Sequence, residues 1–107
     1  MDREQPWGQN VSILVLLELE AVDGKVDEMI AVLGRTLVDT RARPGCESVT
    51  VHQDHDRPNT LLLVERWATR EDDDAYRAWR AGDGATPEMA PLVAARPTVT
   101  YFDDVDA

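Results

Sequence analysis

Cysteine is almost absent from this chain: the single thiol, Cys46, cannot close an internal disulfide, which excludes a disulfide-built scaffold and agrees with a reducing compartment. Positive charge is scarce too. Eleven Lys and Arg residues against 21 Asp and Glu leave a formal net charge of −10, and such a surface repels phosphate backbones and anionic lipid headgroups unless a basic patch interrupts it. No such patch is visible, so neither a nucleic-acid nor a membrane partner is expected. No apolar run approaches the roughly 20 residues that span a bilayer. The opening residues MDREQPWGQN are polar and acidic where a signal peptide would be basic and then apolar, so a cytoplasmic location is expected. Gly-rich phosphate loops, a dinucleotide-binding fingerprint and a Ser-centred nucleophile elbow are all missing.

What is present fits one small soluble domain. The chain has 107 residues, 43% hydrophobic and 30% charged, enough for a modest core but not for two. A polar arm over residues 1–10 precedes a domain spanning 11–104. Val11 to Glu20, VSILVLLELE, has the composition and length of a buried strand. From Lys25 to about Arg43, Val26, Met29, Ile30, Leu33, Leu37 and Val38 recur at helical spacing, and Pro44-Gly45 stops the helix. Cys46 to Asp54 alternates as a strand, Asp56 to Asn59 is turn chemistry, and Thr60 to Trp67 is a third strand, the two making a hairpin. Thr69 to Asp72 reads as a capping box for a second helix running to about Ala81, with Glu71, Asp72 and Asp73 complementing its N-terminal dipole. Thr86-Pro87 predicts a short third helix over Glu88 to Ala95, and Thr98 to Asp103 a last strand.

The order β-α-β-β-α(α)-β predicts an α+β fold of the ferredoxin-like, split βαβ type: a four-stranded antiparallel sheet with helices on one face. The strands carry apolar residues on both faces, Ile13, Val15 and Leu17 against Leu14 and Leu16, then Leu61 and Leu63 against Leu62 and Val64. Helices cover one face only, so the other predicts a second copy packed sheet to sheet, a homodimer.

Few residues offer chemistry. Cys46 and His52 are an even number of residues apart, which predicts one strand face but a separation of roughly 20 Å, too far for a shared metal or a nucleophile–base pair. Cys46 reads as a small packing residue, and no metal site is expected. His52, in the middle of a sheet face, is the one candidate proton acceptor. The run Glu71 to Asp74 reads as helix capping, because consecutive helical positions diverge too far to cage an ion. Trp67 ends the third strand, and Tyr76 and Trp79, three apart, share one helix face. Their rings either fill the core or line a cleft for a flat aromatic ligand.

The element order, together with DGKVDEMIAVLGRTLVDTRARPGCESVTVHQD and DRPNTLLLVERWATREDDDAYRAW, resembles the antibiotic biosynthesis monooxygenase (ABM) domain family over residues 11–104. The resemblance implies a dimeric α+β barrel. It also implies, for the cofactor-independent members, oxidation of hydroquinones or anthrone-like polyketides by molecular oxygen with no flavin, haem or metal. Trp67 matches the cleft-lining tryptophan of that family. The positions where the resemblance implies asparagine are Leu63 and Leu17, Trp79 stands where a histidine is common, and no histidine lies between Glu88 and Ala95 to ligate haem. Haem degradation is therefore not expected. The leading expectation is an oxygenase in which Trp67, Tyr76 and Trp79 hold a small aromatic substrate and His52 deprotonates it. The alternatives are an oxygen-independent isomerase or cyclase, and a non-catalytic dimeric binding module.

Overall fold

The computed structural model describes residues 12–107; the expected arm over 1–10 and the start of the first strand at Val11 lie outside the described residues. The elements are β1 (Ile13–Glu20), α1 (Val26–Arg41), β2 (Cys46–Gln53), β3 (Thr60–Trp67), α2 (Arg70–Arg80), a 3₁₀ turn (Pro87–Leu92) and β4 (Thr98–Asp103). The strands form one sheet in the order β2-β3-β1-β4, every pair antiparallel. This is the expected α+β, ferredoxin-like arrangement.

Alternation decides which side chains meet the helices. Ile13, Val15 and Leu19 on β1 and Leu61, Leu63, Glu65 and Trp67 on β3 are buried beneath them. Met29, Val32, Leu33 and Leu37 of α1 close over the middle and one end of this face, and Tyr76 of α2 closes the other end. The opposite face carries Leu14, Leu16, Leu62, Val64 and Phe102, with no helix upon it among the described residues; Phe102 is 44% exposed.

Two apolar residues of the expected helical stripe point to solvent instead: Ile30 is 40% exposed and Val38 63%. They sit eight residues apart on one edge of α1, whereas Met29, Leu33 and Leu37 lie at successive four-residue steps along the line facing the sheet, with Val32 beside them. The corner between α1 and β2 depends on Gly45, whose φ of +83° suits glycine. A Cβ there would also collide with the carboxylate of Asp72, so this glycine lets the start of α2 press against the corner. Thr69 caps α2 as expected, its hydroxyl accepting from the Asp72 N–H at 3.0 Å.

The expected third helix is shorter and tighter than an α-helix. Pro91 has no N–H to donate and its ring crowds the preceding turn, so Pro87–Leu92 winds as a 3₁₀ turn, and Thr86 makes no side-chain cap. Leu92 anchors it in the core at 2% exposure.

Candidate active site

β3 carries the site because its last residues reach the end of the sheet not covered by α1. Trp67 is fully buried, its ring stacked on Tyr76 of α2 at 4.9 Å between centroids and 30° between planes. Tyr76 in turn lies 6.3 Å from Trp79, one turn further along α2. The three aromatic residues expected to hold a ligand thus form one row from the core outward. Arg80 fixes the middle of that row: its Nε donates to the Tyr76 hydroxyl at 3.0 Å, while its terminal nitrogens donate to Thr36 O, Thr40 Oγ1 and Gly84 O.

Trp79 ends the row at a cavity of 410 Å³ lined also by Arg35, Thr36, Asp39, Arg80 and Gly84. Gly84 lies flat against the indole, where a Cβ would collide with the ring. The guanidinium of Arg43 stands 4.2 Å from the Trp79 centroid and that of Arg80 4.7 Å, so the ring is held by cation–π contacts.

Beside the aromatic row is a charged cluster that nothing in the sequence reading anticipated as a unit. Glu65, two residues before Trp67, is 1% exposed, and its Oε1 accepts both the Trp67 indole N–H at 3.0 Å and Arg77 Nη2 at 2.7 Å. Asp73, fully buried, accepts from Arg77 through Oδ1 at 3.1 Å and from the Tyr101 hydroxyl through Oδ2 at 2.8 Å. Burial opposes the charged form of Arg77, but the carboxylates of Glu65 and Asp73 outweigh it and push its pKa above the ordinary arginine value. Burial first, and then hydrogen bonding to the Asp73 carboxylate and its charge, raise the Tyr101 phenol, which stays a donor at neutral pH. Arg70 stacks over the outer face of the cluster, 3.7 Å from the Tyr101 ring centroid.

From the sequence Asp73 reads as a helix-dipole charge. Its offset to Arg77 is the i,i+4 spacing of a helical ion pair, and Glu65 shares the even spacing of Leu61, Leu63 and Trp67. A charged residue on a buried strand stripe was the available signal.

His52 is elsewhere. It is exposed on the open face of the sheet, opposite Leu62 in register, with Nε2 2.8 Å from Thr50 Oγ1. Trp67 and Tyr76 are on the helix face, so the structure does not bring His52 to the aromatic row. The expected shared face of Cys46 and His52 is also lost. A bulge at Glu47 pairs Cys46 with Trp67 and Ser48 with Arg66, which turns Cys46 toward the helices. There it packs against both core clusters, and burial followed by the charge of Glu65 raises its thiol pKa, the state of an inert packing residue rather than a nucleophile. Leu17 and Leu63, where the family resemblance implies asparagine, face each other across β1 and β3. Among the described residues no group of three or more His, Cys, Asp or Glu side chains is placed to hold a metal ion. No described helix is long and apolar enough to cross a membrane.

The model of the antibiotic biosynthesis monooxygenase family matches residues 12–86. With that match over most of its length, the chain belongs to the antibiotic biosynthesis monooxygenase family. No curated protein matches it in sequence. Among solved structures it is similar to protein SO0527 from Shewanella oneidensis, with a TM-score of 0.76 and 24% identity over 92% of this chain and 95% of that one. A protein from Caulobacter crescentus CB15 superposes with a TM-score of 0.79 at 20% identity, covering 92% and 93% of the two chains. One from Chloroflexus aurantiacus J-10-fl gives 0.72 at 25% identity, covering 90% and 95%. Both of these carry the family's name.

Proposed function

We propose that this chain is a cofactor-independent monooxygenase that oxidises a phenolic, hydroquinone or polycyclic aromatic substrate with molecular oxygen. The observation that carries the reading is the row Trp67–Tyr76–Trp79 beneath α2, running from the buried end of β3 to a cavity wall in a chain of this family. A flat ring could stack on Trp79 at the cavity wall, where it would also meet the charged side chains of Arg35, Asp39, Arg80, Asp83 and Glu88. Loss of the phenolic proton would leave an electron-rich anion able to give an electron to oxygen. For a hydroquinone the overall change is one oxygen molecule consumed, one oxygen atom entering the hydroxyquinone and the other leaving as water.

The protein is proposed to act as a homodimer through the open sheet face, where Leu14, Leu16, Leu62, Val64 and Phe102 form an apolar strip that no described element covers. His52 would lie in that seam, so its role as proton acceptor requires a substrate approaching from the seam. A monodisperse monomer at micromolar concentration in sedimentation would remove the dimer.

The test is oxygen consumption by the purified, metal-stripped protein with a panel of hydroquinones and anthrones, read with quinone absorbance. Uptake proportional to protein supports the oxygenase, and its absence across the panel removes it. Uptake that survives His52→Ala puts the proton acceptor on the helix side. A second reading, a binding module without turnover, is favoured by Leu17 and Leu63 facing each other where asparagines are implied; ligand binding without oxygen uptake is its signature.

A further inference from the structure

We propose that Arg43 is the gate of the Trp79 cavity: its guanidinium, which covers the indole, swings onto Asp39 and yields that face to a flat aromatic ring. The inference rests on the reading that the site takes an aromatic ligand, and adds the residue that controls whether the ring can stack.

A ring that stacks on Trp79 has to displace something. The indole lines the cavity of 410 Å³, yet Gly84, Arg80 and Arg43 all lie against it. A Cβ on Gly84 would collide with the fused edge of the ring, and the guanidiniums of Arg80 and Arg43 stand 4.7 and 4.2 Å from its centroid. Two of these covers are fastened. Gly84 N–H donates to Trp79 O at 2.8 Å. Arg80 donates through Nη1 to Gly84 O, through Nη2 to Thr36 O and Thr40 Oγ1, and through Nε to the Tyr76 hydroxyl. Arg43 is held differently. It has the cation–π contact, but its Nε is buried without a hydrogen-bond partner among the described residues. A buried N–H with no acceptor has given up water for nothing, and that cost opposes the cation–π gain. The guanidinium of Arg43 is therefore the cover most easily moved.

The place it moves to lies on the same edge of α1. Arg35, Asp39 and Arg43 follow one another at four-residue steps, so Arg43 sits one turn beyond two residues of the cavity wall. Asp39 is exposed, and an acid four residues before a base is the favourable order for a helical ion pair. The backbone stays in place during the exchange. Arg43 N–H donates to Thr40 O and its own carbonyl accepts from Cys46 N–H, so the movement is a turn about side-chain bonds alone. A side chain with two such positions sets the apparent affinity of any ligand that needs one of them, because binding is weakened by the fraction in the other.

The experiment titrates the whole protein with naphthohydroquinone under argon, read by calorimetry and by the Arg43 Nε–Hε signal in nitrogen-15 correlation spectra. In the free protein that signal is expected upfield of the exposed arginines, shielded by the indole, and the ligand is expected to return it among them. Arg43→Ala removes the covered state and is expected to tighten binding about threefold or more. Asp39→Asn removes the partner of the open state and is expected to weaken binding about twofold. The same Asp39→Asn change made in Arg43→Ala is expected to have no effect. A side chain that only packs against Trp79 would instead lose affinity in Arg43→Ala and show no dependence on Asp39. Weaker binding in Arg43→Ala, an effect of Asp39→Asn that persists without Arg43, or an Arg43 signal still upfield in the saturated complex overturns the gate. Failure of naphthohydroquinone to bind either the wild-type protein or Arg43→Ala removes the aromatic-ligand reading as well, whereas equal binding to the two removes only the gate.

Discussion

Beneath α1 the sheet meets hydrocarbon; beneath α2 it meets three aromatic rings, two carboxylates and the arginines that hold them. The first region is Leu19, Met29, Val32, Leu33, Leu37, Val49, Leu61 and Leu63, and its stability is that of area removed from water. Many apolar sets of equal volume would serve there. In the second region Glu65 and Asp73 are as buried as any leucine, and each is tolerable only because Arg77 and specific donors reach it. The same sheet therefore has one end built for packing and one whose buried polar groups have a single workable arrangement. That arrangement surrounds the tryptophan at the end of β3, which is why the functional reading is placed there.

The contrast can be broken most severely at Arg77. Arg77→Met leaves two buried carboxylates without their cation, and a loss of about 3–5 kcal/mol in urea unfolding is expected. A loss below about 1 kcal/mol would mean that water already reaches the cluster. On the hydrocarbon side, Leu61→Ala removes a fully buried side chain and should cost roughly 2–5 kcal/mol by cavity formation. The two regions should also be energetically separate. Leu61→Ala with Arg77→Met is expected to be additive to within about 0.5 kcal/mol, while Asp73→Asn with Arg77→Met should couple by about 1–3 kcal/mol.

Tyr101→Phe comes next, removing one bond to a buried carboxylate for about 1.5–3 kcal/mol. It carries a pH signature. The folded phenol titrates above its ordinary value of 10.0, so above that pH the native state retains a proton that the unfolded chain loses, and stability falls as pH rises toward the folded pKa. Unfolding measured from pH 8 upward should show a decline in the wild type that is smaller in Tyr101→Phe; parallel curves would contradict the assignment. The smallest effect is expected at Thr69→Ala, about 1 kcal/mol from the lost cap of α2.

Most of the fold was legible because period and punctuation agree along this chain. The helical steps of Met29, Leu33 and Leu37, the stop at Pro44-Gly45 and the alternation of Leu61, Leu63 and Trp67 each point to one element and one face. The bulge at Glu47 was not legible, since an extra residue in a strand leaves no mark in a two-residue alternation, and it reversed the face of Cys46 relative to His52. The 3₁₀ turn was partly legible, because Pro91 stood inside the expected helix. The aromatic row could be read from the three-residue spacing of Tyr76 and Trp79. Its partnership with Glu65, Asp73 and Tyr101 could not, because it joins α2 to β3 and β4 across distances in sequence that no local pattern encodes.

Ligands are proposed to meet the α2 end of the sheet. The most direct test is the indole N–H signals of Trp67 and Trp79 in nitrogen-15 correlation spectra during anaerobic titration with naphthohydroquinone. Both indoles are expected to shift with the Arg77 and Tyr101 amides, while the amides of Val32 and Leu33 stay still. Shifts confined to Thr50, His52 and Val64 on the open face, with both indoles unmoved, would contradict it.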